Sequence, residues 1–245
     1  MFDYKAKDDL LAGRVILVTG AGRGIGAAAA KTFAAHGATT LLLGKTEANL
    51  NQVYDEILSA GHPQPVVIPL DLETADSNQF DELAALVEQE FGRLDGLLHN
   101  ASILGQRTPI EQLAQEKFAQ VMQINVNACF GLTRAMLPLL RLSPDASIIY
   151  TSSGVGRKGR AYWGAYAVSK FATEGLMQVV ADELDQTSVR ANSVNPGATR
   201  TSMRIAAYPG ELPGKNPQPE EIMPVYLYLM GPDSKGINGQ AFDAQ

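Results

Sequence analysis

The sequence predicts one α/β domain over residues 1–245, a single doubly wound sheet of seven parallel strands with helices on both faces. Two observations predict it. Short apolar runs of strand length alternate with longer helical patterns along the chain, which indicates repeated βαβ units and a sheet covered on both sides. The first apolar run also leads directly into a glycine-rich turn and an alanine-rich stretch. No internal repeat or linker divides the chain, and its length suits one domain.

Each predicted strand is a short run of apolar residues. The predicted strands are 15–18, 39–43, 66–69, 96–99, 147–151, 189–194 and 240–243. One irregular stretch follows the sixth strand, at 206–219, where four prolines and two glycines forbid a continuous helix. Because it lies on the ligand side of an open sheet, we expect a substrate lid at about 200–219 rather than a neutral surface loop.

The first strand runs into T-G-A-G-R-G-I-G at 19–26, and a helix follows. Glycines allow the backbone to approach a ligand closely, and a helix N-terminus favours negative charge. Strand, glycine turn and helix together therefore predict a dinucleotide site rather than a bare turn. The candidate cofactor contacts in this turn are Gly20, Arg23, Gly24, Ile25 and Gly26.

Tyr166 and Lys170 stand four residues apart, and Ser153 precedes the tyrosine by thirteen residues. Positions i and i+4 share one face of a helix, so an ammonium group would stand beside a phenol. A nearby cation stabilises the phenolate and lowers the tyrosine pKa from about 10 toward the working range. Tyr166 is therefore a candidate general acid/base. Ser153, just after the fifth strand, is placed to hydrogen-bond a substrate oxygen.

Composition restricts the partners and the compartment. The net charge of −6 argues against a nucleic-acid surface, so local groups must hold any anionic cofactor. The single cysteine, Cys129, excludes a disulfide within the chain and fits a reducing compartment. The charged N-terminal residues and the absence of a long apolar run indicate neither a signal peptide nor a membrane span. The cysteine content, the charged N-terminal residues and the absence of a long apolar run together predict a cytoplasmic protein. The three histidines show no ligand spacing, so we expect no metal site.

Five motifs, in order, resemble the short-chain dehydrogenase/reductase family: the glycine turn, H-N-A-S at 99–102, Asn125, the Ser153–Tyr166–Lys170 set, and P-G-A-T-R-T at 196–201. The resemblance covers essentially the whole chain. It implies a Rossmann fold and hydride transfer between a nicotinamide cofactor and a carbonyl or alcohol carbon of a small molecule. The segments 159–175 and 239–245 resemble a bacterial branch of this family. The family's usual N-N-A-G reads H-N-A-S here, which keeps the backbone at 100–101.

The resemblance also implies roles for residues near the carboxyl ends of later strands. Asp71, with Leu72 beside it, resembles the aspartate that accepts from the adenine amino group, and the alternative is a helix N-cap. Lys170 would also bind the nicotinamide ribose, and Asn125 would hold a water for proton relay. The other implied cofactor contacts are Asn100, Ala101, Pro196, Gly197, Thr199 and Thr201.

The end of the second strand indicates NADP(H) rather than NAD(H). An NAD site normally places Asp or Glu there to accept from the ribose 2′-hydroxyl, whereas this chain has Gly44 followed by Lys45. Arg23 in the glycine turn is expected near the same position, where a guanidinium makes charge-assisted hydrogen bonds to phosphate. The alternative is that both cations are solvated loop charges.

The substrate is less constrained by the sequence. A basic cluster lies between Ser153 and the catalytic helix, and it fits either a solvated face or a contact with an acidic substrate. Its members are Arg157, Lys158 and Arg160. An apolar or aromatic pocket is the other expectation, and its candidate residues are Tyr162, Trp163, Ile103 and Met203.

Two other functional classes share these features in part. A non-catalytic NADP(H)-binding sensor would keep the glycine turn but has no need of Ser153, Tyr166 and Lys170 together. A sugar-nucleotide epimerase or dehydratase uses a similar tyrosine and lysine but normally has a C-terminal substrate domain, and only about fifty residues follow Pro196. Because family members often pair through the helices that carry Asn125 and Tyr166, the resemblance implies a homodimer or homotetramer.

Overall fold

Seven parallel strands form one sheet in the order β3-β2-β1-β4-β5-β6-β7. The computed structural model describes residues 1–245, except for the side chain of residue 213. The predicted fold class is confirmed, and every predicted strand end agrees to within one residue. The strands are β1 (Val15–Thr19), β2 (Thr39–Gly44), β3 (Val66–Pro69), β4 (Gly96–His99), β5 (Ala146–Thr151), β6 (Val189–Asn195) and β7 (Ala241–Asp243).

Helices cover both faces of the sheet. The α-helices are α1 (Gly24–Ala35), α2 (Glu47–Ser59), α3 (Ser77–Phe91), α4 (Gln115–Met122), α5 (Ala128–Arg141), α6 (Gly164–Glu183), α7 (Ser202–Ala207) and α8 (Met223–Met230). A π-helical turn, Gln123–Asn127, joins α4 to α5. A short 3₁₀ turn, Gly154–Gly156, follows β5 and leads toward α6.

The sheet has an apolar core on each side, which explains why its central strands are apolar at successive positions. All five residues of β1 are buried. Leu17 faces the core formed with α3, α5 and α6, whereas its neighbour Ile16 faces the core formed with α1, α2 and α8. Since successive side chains point to opposite faces of a strand, a continuous apolar run serves both cores.

The strand order reverses between β1 and β4, and a crevice opens where these two strands end. The hydroxyl group of Thr19, the last residue of β1, ties the strand ends together. It accepts hydrogen bonds from the backbone N–H groups of Asn100 at 2.9 Å and Ala101 at 3.0 Å, and it donates to the carbonyl of Leu98 at 3.2 Å. One buried side chain therefore satisfies three backbone groups and sets the width of the crevice.

Replacing Thr19 by Val should lower the free energy of unfolding by about 1–3 kcal/mol, because two backbone N–H groups lose their acceptor while the shape of the side chain is kept. Urea unfolding measures this change. Thr40→Val on β2 is the matched control. The hydroxyl of Thr40 is fully buried and has no hydrogen-bond partner among the described residues, so its removal should leave stability unchanged or raise it. An equal loss in both variants would contradict the role given to Thr19.

Candidate active site

A cavity of about 320 Å³ lies at the carboxyl ends of the central strands. Most of the cofactor contacts expected from the sequence line it. They are Gly20, Arg23, Gly24, Ile25, Gly44, Lys45, Asp71, Leu72, Asn100, Ala101, Tyr166, Lys170, Pro196 and Thr201. The fold thus brings residues from six separate parts of the chain to one concave surface, where ligands of open α/β sheets bind.

Two positions of the glycine turn exclude any side chain, because the turn packs closely against its own backbone and against the residues that follow β4. Gly20 has φ +66°, and a Cβ there would lie 3.0 Å from the Cα of Ala101. A Cβ on Gly26 would collide with the carbonyl oxygen of Gly20 and lie 2.6 Å from Nδ2 of Asn100. Gly26 therefore lies beneath the turn and not on the cavity wall. The side chain of Arg23, the N-cap residue of α1, does not cap the helix, so the helix N-terminus suits an anion.

Positive charge flanks the end of β2 inside an acidic protein. Arg23 and Lys45 are exposed, and neither forms an ion pair within the described residues. Gly44, the last residue of β2, lines the cavity next to Lys45 and presents no side chain toward it. A phosphate bound there would meet two uncompensated cations and no carboxylate at the end of β2.

The first turn of α2 contributes cavity residues that the sequence analysis missed: Thr46, Asn49 and Leu50. The only signal in the sequence was that these residues directly follow the second predicted strand. A helix that follows a strand of a parallel sheet begins at the same edge of the sheet as the glycine turn. Ser102 and Ser152 also line the cavity. The buried hydroxyl of Ser152 has no hydrogen-bond partner among the described residues, which leaves it free to bind a polar ligand atom.

Asp71 lies on the cavity wall and is not a helix cap. Its Oδ1 accepts from the backbone N–H of Glu73 at 3.0 Å, which fixes the turn after β3. The N-cap of α3 is Asp76, which forms a reciprocal capping box with Gln79. The alternative interpretation of Asp71 as an N-cap is therefore wrong.

Tyr166 and Lys170 lie one turn apart on α6 and are 8% and 3% exposed. Lys170 Nζ lies 5.5 Å from the centre of the Tyr166 ring and donates a 2.8 Å hydrogen bond to the carbonyl of Thr151. Burial raises the pKa of Tyr166 to about 12, and a hydrogen bond with Ser153 opposes that shift. Burial lowers the pKa of Lys170 to about 8. The expected lowering of the pKa of Tyr166 by Lys170 is not present in this structure: burial dominates at the phenol, and the ammonium of Lys170 donates to the carbonyl of Thr151.

Asn125 lies in the π-helical turn and clamps the loop after β4. Its Oδ1 accepts from the N–H of Ile103 at 2.9 Å, and its Nδ2 donates to the carbonyl of Ile103 and to Ser169 Oγ, each at 3.0 Å. Beside it, a second cavity of about 10 Å³ is lined by Asn125 and Lys170, among other residues. That volume suits a single water molecule with polar partners.

His99, where the family pattern has asparagine, is buried and neutral. Its Nε2 lies 2.8 Å from Thr133 Oγ1, and its ring stacks on Tyr150 with 4.9 Å between ring centres. Burial lowers the pKa of His99 to about 3. The side chain thus fills space behind the cavity, and the backbone of Asn100 and Ala101 remains on the cavity wall.

Two expected cofactor contacts in the turn after β6, Gly197 and Thr199, do not line the cavity. The hydroxyl of Thr199 is buried and donates to the carbonyl of Pro196 at 3.0 Å. Thr201 does line the cavity, and its hydroxyl caps α7 by accepting from the N–H of Arg204 at 3.1 Å. The segment 200–219, predicted to be a lid, thus begins with a short helix that is anchored at the cavity edge.

An aromatic cluster adjoins Tyr166 on the side of α7. Trp163 is 7% exposed, and its ring centre lies 5.9 Å from that of Tyr166. Ile103 and Met203 line the cavity next to the tyrosine. Tyr162 stands apart, because its side chain is 57% exposed and its backbone is left-handed, with φ +70°.

The basic cluster separates into members with different partners. Arg157 pairs with Glu174 and Asp243 and donates to the carbonyl of Phe242, so it ties the loop to α6 and β7. Arg160 instead donates a 3.0 Å hydrogen bond to the hydroxyl of Tyr208 at the end of α7. Arg157 therefore has a structural role, and contact of Lys158 or Arg160 with an acidic substrate stays a prediction.

Comparison with known proteins gives the same family as the motifs. The family model for short-chain dehydrogenases matches residues 14–211. The chain belongs to the short-chain dehydrogenase family. It is 52% identical to the oxidoreductase YciK of Escherichia coli K12 over 242 residues, which cover 99% of this chain and 96% of the relative.

Solved structures of short-chain dehydrogenases agree over the full length. The chain is 71% identical to a short-chain dehydrogenase from Pseudomonas syringae, with a TM-score of 0.99 and 100% of both chains covered. It is 53% identical to one from Shigella flexneri that was crystallised with NADP, with a TM-score of 0.96, covering 98% of this chain and 100% of that one. The predicted family and its bacterial branch are thus confirmed.

Membership shows that the chain is an oxidoreductase of the short-chain dehydrogenase family. No helix in the described part of the chain combines the length and the apolar character needed to cross a bilayer.

Proposed function

We propose that this protein is an NADP(H)-dependent oxidoreductase that transfers a hydride between the nicotinamide and a carbonyl or alcohol carbon of a small molecule. The observation that carries the proposal is one continuous cavity with two chemically distinct ends. Tyr166 and Lys170 line one end, beside Ser153, and the unpaired cations Arg23 and Lys45 line the other. A cofactor with a phosphate at its adenosine end and a reactive ring at the other suits that arrangement.

Bound NADP(H) supplies or accepts the hydride. Ser153, whose side chain opposes the rise in the pKa of Tyr166, is placed to orient the substrate oxygen beside the phenol. Tyr166 holds the proton at its hydroxyl and exchanges it with that oxygen. The pKa of Lys170, about 8, lets its ammonium carry or release a proton near neutral pH. Asn125 holds the loop at Ile103, and the small cavity beside it has room for a water between Asn125 and Lys170.

A non-catalytic NADP(H)-binding sensor is the second candidate, and the buried acid/base set argues against it. Keeping Lys170 buried and charged is costly, and a sensor gains nothing from that cost. Oxidation of NADPH with any member of a panel of diketones, quinones and aldehydes would exclude the sensor. Tight NADPH binding without turnover of the whole panel would favour it.

The choice of NADP(H) is supported by the end of β2. Gly44 supplies no carboxylate to accept from a ribose 2′-hydroxyl, and the neighbouring Lys45 and Arg23 are free of acidic partners within the described residues. The Shigella flexneri relative was crystallised with NADP.

We also propose a cytoplasmic location, since the single cysteine is buried and burial raises its pKa to about 12, as suits an inert thiol.

Assembly through α5 and α6 is supported by an exposed apolar stripe. Val168, Phe171 and Val179 recur on one face of α6, and each is about half exposed, as is Phe130 on α5. Exposed aromatic side chains grouped in this way mark protein interfaces. We propose that the chain pairs with itself along this stripe, as a dimer or tetramer.

Tyr166→Phe should lower kcat about a hundredfold or more while cofactor binding persists, because the proton donor is lost and the ring is kept. Steady-state kinetics on the best substrate of the panel, with cofactor titration, measures both. Tyr54→Phe, two turns into α2 from the cavity, is the matched control. Near wild-type kcat in Tyr166→Phe would refute the assignment.

Lys170→Met should lower kcat and should also weaken the affinity for the cofactor, because the ammonium group is proposed to bind the nicotinamide ribose. Unchanged cofactor affinity in this variant would contradict that role.

NADPH should bind more tightly than NADH, and the preference should shrink as salt rises because the attraction is partly screened. Gly44→Asp with Lys45→Ala should reverse the order. A Cβ at Gly44 meets only the flexible end of Leu50, at 3.2 Å, so the fold should tolerate the change. Fluorescence titration at low salt measures both affinities. Equal affinity of the unmodified protein for the two cofactors would overturn the proposal.

Light scattering at micromolar concentration should give a mass of at least twice the 26.2 kDa chain. Phe171→Glu should shift the protein toward monomer, because a charge would be buried at the centre of the stripe. Glu116→Lys on the exposed surface of α4 is the control for a charge change. A 26.2 kDa particle for the unmodified protein would refute the assembly.

A further inference from the structure

Three arginines converge on the aromatic cluster where the lid meets the reaction centre. Arg107, from the loop after β4, lies against two adjoining rings, with its guanidinium carbon 4.7 Å from the centre of Trp163 and 5.1 Å from that of Tyr208. It also donates to the carbonyl of Ala207. Arg204 covers the Tyr208 ring at 3.9 Å, and Arg160 hydrogen-bonds the Tyr208 hydroxyl. We call Arg107, Arg160 and Arg204 the arginine cluster.

The members of the cluster differ in how their charge is balanced. Arg204 is held by both carboxylate oxygens of Glu211, at 2.6 and 2.7 Å. Across the described residues, no carboxylate lies within ion-pairing distance of Arg107 or Arg160. In a chain of net charge −6, two uncompensated guanidinium groups beside the same tyrosine form a local positive site.

A buried donor lies in the same place. Trp163 is 7% exposed, and its indole N–H has no hydrogen-bond partner among the described residues. An unpaired buried donor costs about 1–3 kcal/mol, and a ligand acceptor would remove that cost. The Trp163 N–H is therefore a buried donor without an acceptor among the described residues, set beside an apolar wall that includes Leu104, Val155 and Met203.

The geometry also fixes how far these donors lie from the chemistry. The Trp163 ring packs against Tyr166, and the Arg107 guanidinium lies over the Trp163 ring. One aromatic ring therefore separates the guanidinium from the catalytic phenol. The two adjoining rings hold the guanidinium in position, and its N–H edges suit the planar recognition of an oxyanion. Arg107 is exposed, so a ligand can reach it.

We propose that the substrate carries an anionic oxygen group, a carboxylate or a phosphate, about one ring length from its reacting carbonyl or alcohol carbon. Arg107 binds that group, and Arg160 adds positive charge beside it. Substrate binding would then join the loop after β4 to the lid helix α7 through the same side chain that contacts Ala207. This inference rests on the proposed oxidoreductase function, whose acid/base groups define the reacting end.

The first test compares matched aldehydes with NADPH as the reductant. The probes are 4-formylbenzoate and the longer 4-formylcinnamate, each with its neutral methyl ester, and 4-formylphenyl phosphate. Each turnover transfers a hydride to the carbonyl carbon and a proton to its oxygen, giving the alcohol and NADP⁺. We expect kcat/KM at least tenfold higher for a charged probe than for the esters, and the better of the carboxylate and phosphate probes identifies the group. Equal or faster reduction of the esters would overturn the inference while leaving the oxidoreductase proposal intact.

Variants assign the preference to the cluster. Arg107→Gln should reduce the charged-to-neutral ratio to about one, mainly through KM, and Arg107→Lys should restore part of it. Arg141→Gln, an exposed position at the end of α5, is the matched control and should keep the wild-type ratio. A preference that survives in Arg107→Gln would refute the assignment to Arg107.

A binding measurement separates this inference from failure of the proposed function. Trp163 is the only tryptophan in the sequence, so intrinsic tryptophan emission reports on the cluster itself. Titration of the NADP⁺-loaded protein with benzoate should change that emission with a salt-sensitive Kd, whereas neutral benzamide should not, and Arg107→Gln should lose the response. No turnover of any aldehyde together with this benzoate response would reject the reaction but keep the anion site. Equal responses to benzoate and benzamide would reject the anion site.

Discussion

The site depends on how the ends of β1 and β4 are joined, and the Thr19 hydroxyl is the group that joins them. Parallel strands that diverge leave backbone N–H groups without a ladder partner, and a buried N–H must find another acceptor. Thr19 supplies it for Asn100 and Ala101. The Nδ2 of Asn100 in turn donates to the carbonyl of Thr19 at 3.2 Å. The glycine turn and the fourth strand thus reach the cavity as one rigid unit.

The fold could be predicted from the sequence because its signals are local. Each strand is a short apolar run between turns, and burial on both faces makes that run continuous. Residue positions in the cavity followed from the same logic, since the carboxyl ends of parallel strands share one edge. Backbone placement alone assigned Gly20 to that edge, whereas the roles of Asn100 and Asp71 were implied by the family resemblance.

Properties that depend on distant partners could not be predicted. The carboxylate of Asp243, which pairs with Arg157, lies 86 residues along the chain, and the rings that Arg107 contacts come from the N-cap of α6 and the C-cap of α7. The predicted lowering of the pKa of Tyr166 was wrong for a related reason. Spacing shows that a lysine stands nearby, but the extent of desolvation depends on every element packed around the phenol. Charge partners and solvent exposure depend on the tertiary structure, so they cannot be deduced from the residue pattern of a single helix.

The π-helical turn at Gln123–Asn127 has a consequence for how this helix tolerates change in length. A π turn holds one residue more than the α-helical turn it replaces. Deleting one residue there would let α4 and α5 run as one regular helix, so the backbone hydrogen bonds would survive. The deletion would nevertheless rotate what precedes it by about 100°, and Asn125 would leave the loop at Ile103. The helix itself does not need the extra residue of the π turn. That residue nevertheless sets the position of the Asn125 amide, which lines the same small cavity as Lys170.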